Sequence, residues 1–249
     1  MLALDQRGSF EKMVRSTDKS VLIEKKKQVI EALEDIFSGV LLDPKYGLPA
    51  YKQSGCLKPF LLCAEKSGYQ DIAGERLTEI EYNAEELSNM GASGIKLLVY
   101  FNPFLKSAQK QLETAGEVLK DCHKHGLPMF LEIVTYGDND GKNLIVESVD
   151  YFLKNKVVTD VFKIQYPGDK LACQKITEML GETNWIMLTA GVDFYVFKDQ
   201  LTIACKNGCS GFLAGRSIWQ EAVKTDIGRE QDLKMRERFE SIKQIAEGK

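Results

Sequence analysis

The sequence has only two histidines, His123 and His125, which stand together at the end of a predicted helix. The helix dipole favours cations at that position, and two imidazoles are too few for the ligand cluster on which many zinc enzymes depend. We therefore expect no metal in this protein.

Several other features are also missing. Lysine and arginine total 33 against 36 acidic residues, a net charge of −3, so no basic surface indicates a nucleic-acid partner. No apolar run approaches the roughly 18 residues that span a membrane. Neither GxGxxG nor a Walker loop is present, so we expect no nucleotide cofactor.

Cysteine is present but has no pattern. The six cysteines form no CxxC pair and have no regular spacing: Cys56, Cys63, Cys122, Cys173, Cys205 and Cys209. Most lie in apolar or helical stretches, which is typical of reduced thiols in a cytoplasmic protein.

Short apolar runs alternate with longer amphipathic stretches along the whole chain, which predicts a parallel α/β sheet. The predicted strands are Met1–Asp5, Gly39–Leu42, Phe60–Ala64, Gly94–Tyr100, Met129–Thr135, Val161–Tyr166, Trp185–Ala190 and Gly211–Gly215. Eight strands with intervening helices favour one (β/α)₈ TIM barrel over residues 1–249, and an open doubly wound sheet is the alternative. Because the chain opens directly on a strand, we expect a segment before it to be missing or trimmed.

The predicted helices have one apolar stripe each. They are Val21–Phe37, Ile80–Asn89, Ala108–Lys124, Lys142–Asn155, Leu171–Leu180, Phe194–Asn207 and Arg229–Glu247, and Gly91, Gly126 and Gly208 are expected to end three of them. We interpret the charged run from Glu24 to Lys27 as a solvated helix face.

Lys163 is the most informative polar residue. It lies in the middle of the sixth predicted strand, and alternation places Phe162 and Ile164 on the opposite face. If that face meets the helices, Lys163 points into the barrel, where desolvation favours the neutral amine that attacks a carbonyl. The alternative is a lysine paired with a carboxylate only to satisfy the core.

Two further charges interrupt neighbouring apolar strands. Glu132 lies in the fifth predicted strand and Lys96 in the fourth, so both should lie beside Lys163. A second cation would favour the neutral amine of Lys163 still further, and a carboxylate could move the protons that Schiff-base formation requires. A buried Lys–Glu–Lys network without a reaction is the alternative.

The last two strands end in loops of small residues, Leu188 to Asp193 and Gly211 to Arg216. Such loops after strands seven and eight commonly cradle phosphate in barrels, and an arginine adds a forked contact. Alternatively, the glycines only permit tight turns and Arg216 forms a salt bridge at the rim.

Several segments together resemble the class I tagatose-1,6-bisphosphate aldolase family, over nearly the whole chain. They are Ala3–Gly8, Leu41–Ala50, Ala64–Tyr69, Phe130–Ile133 and Ala214–Arg216. The resemblance implies a Schiff base on Lys163, catalytic partners Glu132, Lys96, Asp5 and Gln6, and an anion site formed by Leu188, Thr189, Gly191, Gly215 and Arg216. One departure is Gln165, where the family usually has glutamate.

This resemblance implies cleavage of the C3–C4 bond of a ketohexose, with release by water in an aldolase or by an acceptor aldehyde in a transaldolase. The substrate expected is a ketose phosphate or, as in relatives that act on sulfofructose, a sulfonate. Arg7 and Lys66 are candidates for a second cationic site. A non-catalytic sugar-phosphate sensor and a phosphate-binding sugar isomerase are the rival functions, and homo-oligomer formation stays open.

Overall fold

The computed structural model describes residues 1–138 and 141–248, and ten strands and ten helices lie within them. The strands are β1 (Leu2–Leu4), β2 (Val40–Leu42), β3 (Phe60–Cys63), β4 (Gln70–Ile72), β5 (Glu75–Leu77), β6 (Gly94–Phe101), β7 (Met129–Thr135), β8 (Val161–Ile164), β9 (Asn184–Leu188) and β10 (Phe212–Leu213). Eight of them form one parallel sheet in the order β1-β2-β3-β6-β7-β8-β9-β10, and β4 and β5 form a separate antiparallel hairpin.

The two edges of this sheet meet. Leu2 bridges in parallel to Ala214, the Ala3 amide donates to the Ala214 carbonyl at 2.7 Å, and the Ala214 amide donates to the Met1 carbonyl at 3.2 Å. The TIM barrel predicted from the sequence is therefore confirmed, and the open doubly wound sheet is wrong.

Helices surround the barrel: α1 (Gly8–Val14), α2 (Lys19–Leu33), α3 (Gly47–Ser54), α4 (Ala84–Asn89), α5 (Ser107–Lys124), α6 (Leu144–Lys154), α7 (Lys170–Leu180), α8 (Phe194–Cys205), α9 (Arg216–Val223) and α10 (Arg229–Ala246). In the described ranges none of them is both long and apolar enough to cross a membrane. Gly91, Gly126 and Gly208 adopt positive φ just beyond α4, α5 and α8, as expected of residues that end helices.

Five elements were not predicted: the helices α1, α3 and α9 and the strands β4 and β5 of the hairpin. The two short helices α1 and α3 both begin at a glycine, a residue that more often indicates a turn. The predicted strands are also too long at their carboxyl ends, since β8 ends at Ile164 and β10 at Leu213. Beyond these points the chain leaves the ladder and forms the mouth of the barrel.

Alternation along the strands places two kinds of residue inside the barrel. An apolar layer fills its lower part: Ala3, Leu41, Leu61, Ile186 and Leu213, with Phe130 and Val161 against them. Two residues further along, the same inward direction carries Asp5, Glu132 and Lys163 to the C-terminal end. The charged residues therefore lie on top of a packed apolar floor.

The interpretation of the run from Glu24 to Lys27 as a solvated face is wrong for Lys26. Its side chain is fully buried, forms an ion pair with the equally buried Asp43, and donates to the carbonyls of Leu4 and Gln6 at 2.8 Å each. Lys26 lies on the inner stripe of α2, four residues after Leu22 and three before Val29. Through these hydrogen bonds Lys26 links helix α2 to the carboxyl end of β1.

This pair generates a stability prediction. Lys26→Met leaves the Asp43 carboxylate buried without its cation, so we expect the free energy of unfolding in urea to fall by about 3–5 kcal/mol. Lys27→Met is the matched control, because its pairs with Glu24 and Glu31 at 3.5 and 3.6 Å are near the surface, and it should cost less than about 1 kcal/mol. Equal losses in both variants would contradict a buried, structural role for Lys26.

Candidate active site

The barrel mouth contains a cavity of about 400 Å³ lined from the ends of β1, β3, β6, β7, β8, β9 and β10 and from the loops that follow them. Eleven residues that the sequence singled out line it: Asp5, Gln6, Arg7, Lys66, Lys96, Glu132, Lys163, Leu188, Thr189, Gly215 and Arg216. A second cavity of about 380 Å³ lies at the opposite floor and is mainly apolar, with Phe130, Ile186 and Phe212 in its wall. The charged side chains that could carry out a reaction therefore line the cavity at the mouth.

Lys163 is buried in this cavity, with 2% of its surface exposed. Its Nζ lies 2.8 Å from Oε2 of Glu132, and Lys96 Nζ lies 3.4 Å from the same oxygen. The register of the sheet places Glu132 of β7 directly beside Lys163 of β8. The three charges therefore meet as the sequence predicted.

Lys96 contacts more carboxylates than the sequence indicated. Besides Glu132, it forms ion pairs with Asp5 at 2.7 Å and with Glu65. Burial alone would lower the pKa of Lys96, but these three carboxylates outweigh it and hold the pKa well above its ordinary value. The positive charge of Lys96 is thus compensated locally, so it is a weaker second cation for Lys163 than expected.

Asp5 completes the group from β1. Its burial would raise the pKa of the carboxyl, but the charges of Lys96 and Lys163 and a hydrogen bond from Lys96 together hold that pKa below its usual range. Asp5 is therefore ionised at neutral pH.

Glu65 is the residue that sequence reasoning did not assign to the site. It is buried, its Oε2 accepts from the Leu98 amide at 3.1 Å, and burial raises its pKa while Lys96 opposes that shift. Its signal was available, because Glu65 lies two residues beyond Cys63 at the end of the third strand and so shares its inward direction.

Gln6 and Gln165 lie on opposite sides of the mouth. Gln165 Oε1 accepts from the amide and hydroxyl of Thr135 at 2.8 and 2.9 Å, which joins the ends of β7 and β8. Gln6 Oε1 is buried without a hydrogen-bond partner among the residues that the structure describes. A buried carbonyl oxygen of this kind is available to a donor on a ligand.

A tight turn follows β9 and supports Arg216. Val192 N donates to the Thr189 carbonyl at 3.0 Å, and Ala190 and Gly191 between them both adopt positive φ, 48° and 80°. A Cβ at position 191 would lie 2.9 Å from Nη2 of Arg216. Gly191 is therefore not part of the cavity wall but the residue against which the guanidinium packs.

Gly215 allows a second close approach, since a Cβ there would lie 2.9 Å from the Ala3 carbonyl of β1. Helix α9 begins directly afterwards, at Arg216. Gly215 and Arg216 both line the cavity, so the N-terminus of α9 lies at its wall, and helix N-termini commonly bind anions. Within residues 1–138 and 141–248, no carboxylate forms a salt bridge with Arg216, so the rim salt bridge considered as an alternative is absent there.

Arg7 and Lys66 line the opposite wall and both have partners. Arg7 contacts Glu81 Oε2 and the Glu65 carbonyl, each at 2.5 Å. Lys66 pairs with Glu79 at 3.2 Å in an exposed position. Their role as anion-binding residues stays a prediction.

The histidines lie away from the cavity. His123 pairs with Asp160 at 3.0 Å, and His125 lies near Asp121. In the described part of the chain, no three His, Cys, Asp or Glu side chains are grouped so as to hold a metal. Metal-independent chemistry remains a prediction.

A closed parallel barrel with buried lysines and carboxylates at its C-terminal mouth defines an enzyme-type barrel of the kind in which strand ends carry the chemistry. Residues 1–221 match the profile of the DeoC/LacD family of aldolases. The chain belongs to that family, and the resemblance noted in the sequence is confirmed.

Among similar proteins, the tagatose 1,6-diphosphate aldolase of Staphylococcus haemolyticus is 31% identical, covering 91% of this chain and 82% of its own. A tagatose 1,6-diphosphate aldolase 2 of Streptococcus pyogenes serotype M3 is 29% identical, with coverages of 91% and 81%. The barrel of an archaeal fructose 1,6-bisphosphate aldolase superposes with a TM-score of 0.73 at 20% identity, covering 100% of this chain and 93% of the other. At that identity the superposition shows a shared fold.

The Lys96 group generates a pH prediction. Because the folded pKa of Asp5 is lowered, its stabilising effect is present above an unfolded value of about 4 and disappears as the pH falls through the folded pKa. In Lys96→Met, three carboxylates face one another without that cation, so rising pH should oppose folding.

We expect Lys96→Met to lose about 3–5 kcal/mol of unfolding free energy near pH 8 and markedly less near pH 5, measured in urea. Lys66→Met, whose ion pair is exposed, should lose less than about 1 kcal/mol at either pH. A pH-independent loss in Lys96→Met would show that the carboxylates do not depend on Lys96.

Proposed function

We propose that this protein is a class I aldolase or transaldolase that cleaves the C3–C4 bond of a phosphorylated or sulfonated ketohexose through a Schiff base on Lys163, without a metal or cofactor. The observation that carries the proposal is the contact between Lys163 and Glu132, 2.8 Å apart and buried at the barrel mouth. Family membership supplies the aldolase class, and an archaeal relative in fold carries a catalytic lysine bound to a carbinolamine.

Schiff-base formation uses that pair. Glu132 takes a proton from the Lys163 ammonium, and the free amine adds to the C2 carbonyl carbon of the substrate. The carbonyl π electrons pass to the oxygen, one proton moves from the nitrogen to that oxygen, and a neutral carbinolamine results. Glu132 then returns a proton to the new hydroxyl group, water leaves, and an iminium forms. One carboxylate beside the nucleophile serves both proton transfers.

Cleavage requires a base at the C4 hydroxyl, and we assign Asp5 to this role because its carboxylate lines the cavity and lies 2.7 Å from Lys96 Nζ, within the charged group around Lys163. As the proton leaves O4, the C4–O bond becomes an aldehyde carbonyl and the C3–C4 bond breaks. Its electron pair flows into the iminium and leaves an enamine on Lys163. Lys96 holds Asp5 and Glu132 in place through its ion pairs.

The enamine can react in two ways, and both use these residues. In an aldolase, C3 of the enamine takes a proton and water hydrolyses the iminium, which frees Lys163. In a transaldolase, C3 attacks the carbonyl of a second aldehyde before hydrolysis. In both, Arg216 and the loops after β9 and β10 hold the phosphate or sulfonate.

The proposal extends to the setting of the enzyme. We propose that residues 1–249 act as one catalytic domain and that the protein works in the cytoplasm, where thiols stay reduced. All six cysteines are free thiols, and five of them are buried.

The nucleophile is tested by trapping. Incubation with a ketohexose phosphate and borohydride should reduce the iminium to a stable secondary amine and add the mass of a substrate fragment to the peptide that contains Lys163. Lys163→Ala should abolish both cleavage and trapping, while the exposed Lys120→Ala should keep both. A sensor or an isomerase would gain no mass, and trapping that persists in Lys163→Ala would assign the nucleophile to another lysine.

The proton shuttle is tested by Glu132→Gln, which keeps the size and hydrogen bonding of the side chain but removes its charge. We expect kcat to fall by about 10²–10⁴-fold, with KM changed by less than about threefold. The control is Glu117→Gln on the exposed face of α5. An unchanged pH–rate profile in Glu132→Gln would transfer the role to Asp5 or Glu65.

A further inference from the structure

We infer that the site accepts a ketose with a single anionic terminus, held by Arg216, and that the opposite wall takes an uncharged, hydroxylated end. This inference rests on the proposed function, because it names the substrate class of the same cavity. The relatives described above are tagatose 1,6-diphosphate aldolases, so the inferred substrate has one anionic terminus where theirs has two.

The first support is the pairing of the cations in the cavity wall. Arg7, Lys66, Lys96 and Lys163 each have a carboxylate oxygen within 3.2 Å. Arg216 has no such partner among the described residues and reaches the cavity beside Thr189 and Gly215. A half-buried guanidinium without a counterion is the group most ready to bind an anion.

Arg7 is not free to provide a second anion site. Its side chain is 9% exposed, and its two Nη atoms are already committed to Glu81 and to the Glu65 carbonyl at 2.5 Å. Turning toward a substrate phosphate would break both contacts and leave the Glu65 carbonyl without this donor.

Lys66 is the remaining candidate on that wall. Its pair with Glu79 is exposed, so breaking it costs little. A phosphate there, however, would lie near Glu65, Glu79 and Glu81, which already pair with Lys96, Lys66 and Arg7. These pairs of described residues leave no net positive charge at this end of the cavity to attract a second dianion.

The same wall offers neutral contacts instead. Tyr100 lines the cavity, and its ring is held edge-on by Tyr69 at 4.9 Å and by the Arg76 guanidinium at 5.7 Å. Burial raises the pKa of Tyr100, so its hydroxyl stays protonated. With Ser67 also in the cavity lining, this surface suits the C–H and O–H groups of an uncharged sugar end.

The experiment measures binding of hexitols, which lack the carbonyl and cannot form a Schiff base. Calorimetry would compare the unmodified hexitol, its 1-phosphate, its 6-phosphate, its 6-sulfonate and its 1,6-bisphosphate on the intact protein. The better monoanion should bind at least about 10-fold more tightly than the hexitol, and the bisphosphate should bind within about threefold of that monoanion. Comparison of the 6-phosphate with the 6-sulfonate identifies which anion Arg216 and the loops after β9 and β10 prefer.

Two variants locate the effect. Arg216→Ala should remove the gain from the single anion, while Lys66→Ala should change the bisphosphate affinity by less than about threefold. The inference is overturned if the bisphosphate binds more than about 10-fold tighter than both monophosphates, or if Arg216→Ala keeps the full gain.

Failure of the proposed function would look different. If a singly charged ketose gave no borohydride adduct on Lys163 while the hexitol affinities followed the expected order, the Schiff-base proposal would be wrong and the single-anion inference would stand.

Discussion

Lys96 is the charge on which the mouth of this barrel depends. It is 1% exposed and joins Asp5 and Glu65, which follow the ends of β1 and β3, to Glu132 in β7. Three carboxylates so close together could not all ionise in a buried site without a cation between them. Lys96 therefore fixes the geometry of the strand ends and also holds the pKa of Asp5 below its usual range, which keeps that carboxyl charged.

A charged cluster of this kind costs desolvation energy, and apolar residues would often be as stable in its place. The apolar layer around Leu41, Leu61 and Ile186 below it contributes the packing that this upper layer lacks. The division of the barrel into a packed floor and a charged mouth separates stability from chemistry. Lys26, buried behind β1 and bonded to the Leu4 and Gln6 carbonyls on either side of Asp5, links the two.

The two walls of the cavity differ in how their charges are balanced. On the β9–β10 side, glycine at position 191 lets the Arg216 guanidinium pack against the backbone, where no carboxylate of the described residues neutralises it. On the side of Arg7, ion pairs with carboxylates neutralise the cations before any ligand arrives. Because Arg216 is, in the described part of the chain, the cavity cation without a neutralising carboxylate, the cavity should bind a ligand with its anionic end at Arg216.

The sequence by itself determined the barrel and the inward direction of Lys96, Glu132 and Lys163, because alternation along a strand and the order of strands and helices are local patterns. Tertiary structure alone decided which further charges pair with these and with the cations of the cavity wall. Glu65 meets Lys96 across 31 positions, and Arg7 meets Glu81 across 74. Such distant contacts form only when barrel closure brings strand ends and loops together. The local alternation of apolar and polar residues in the sequence does not predict which of these ends and loops meet. For the same reason, only the fold shows that Arg7 is neutralised by a carboxylate and that Arg216 has no such partner among the described residues.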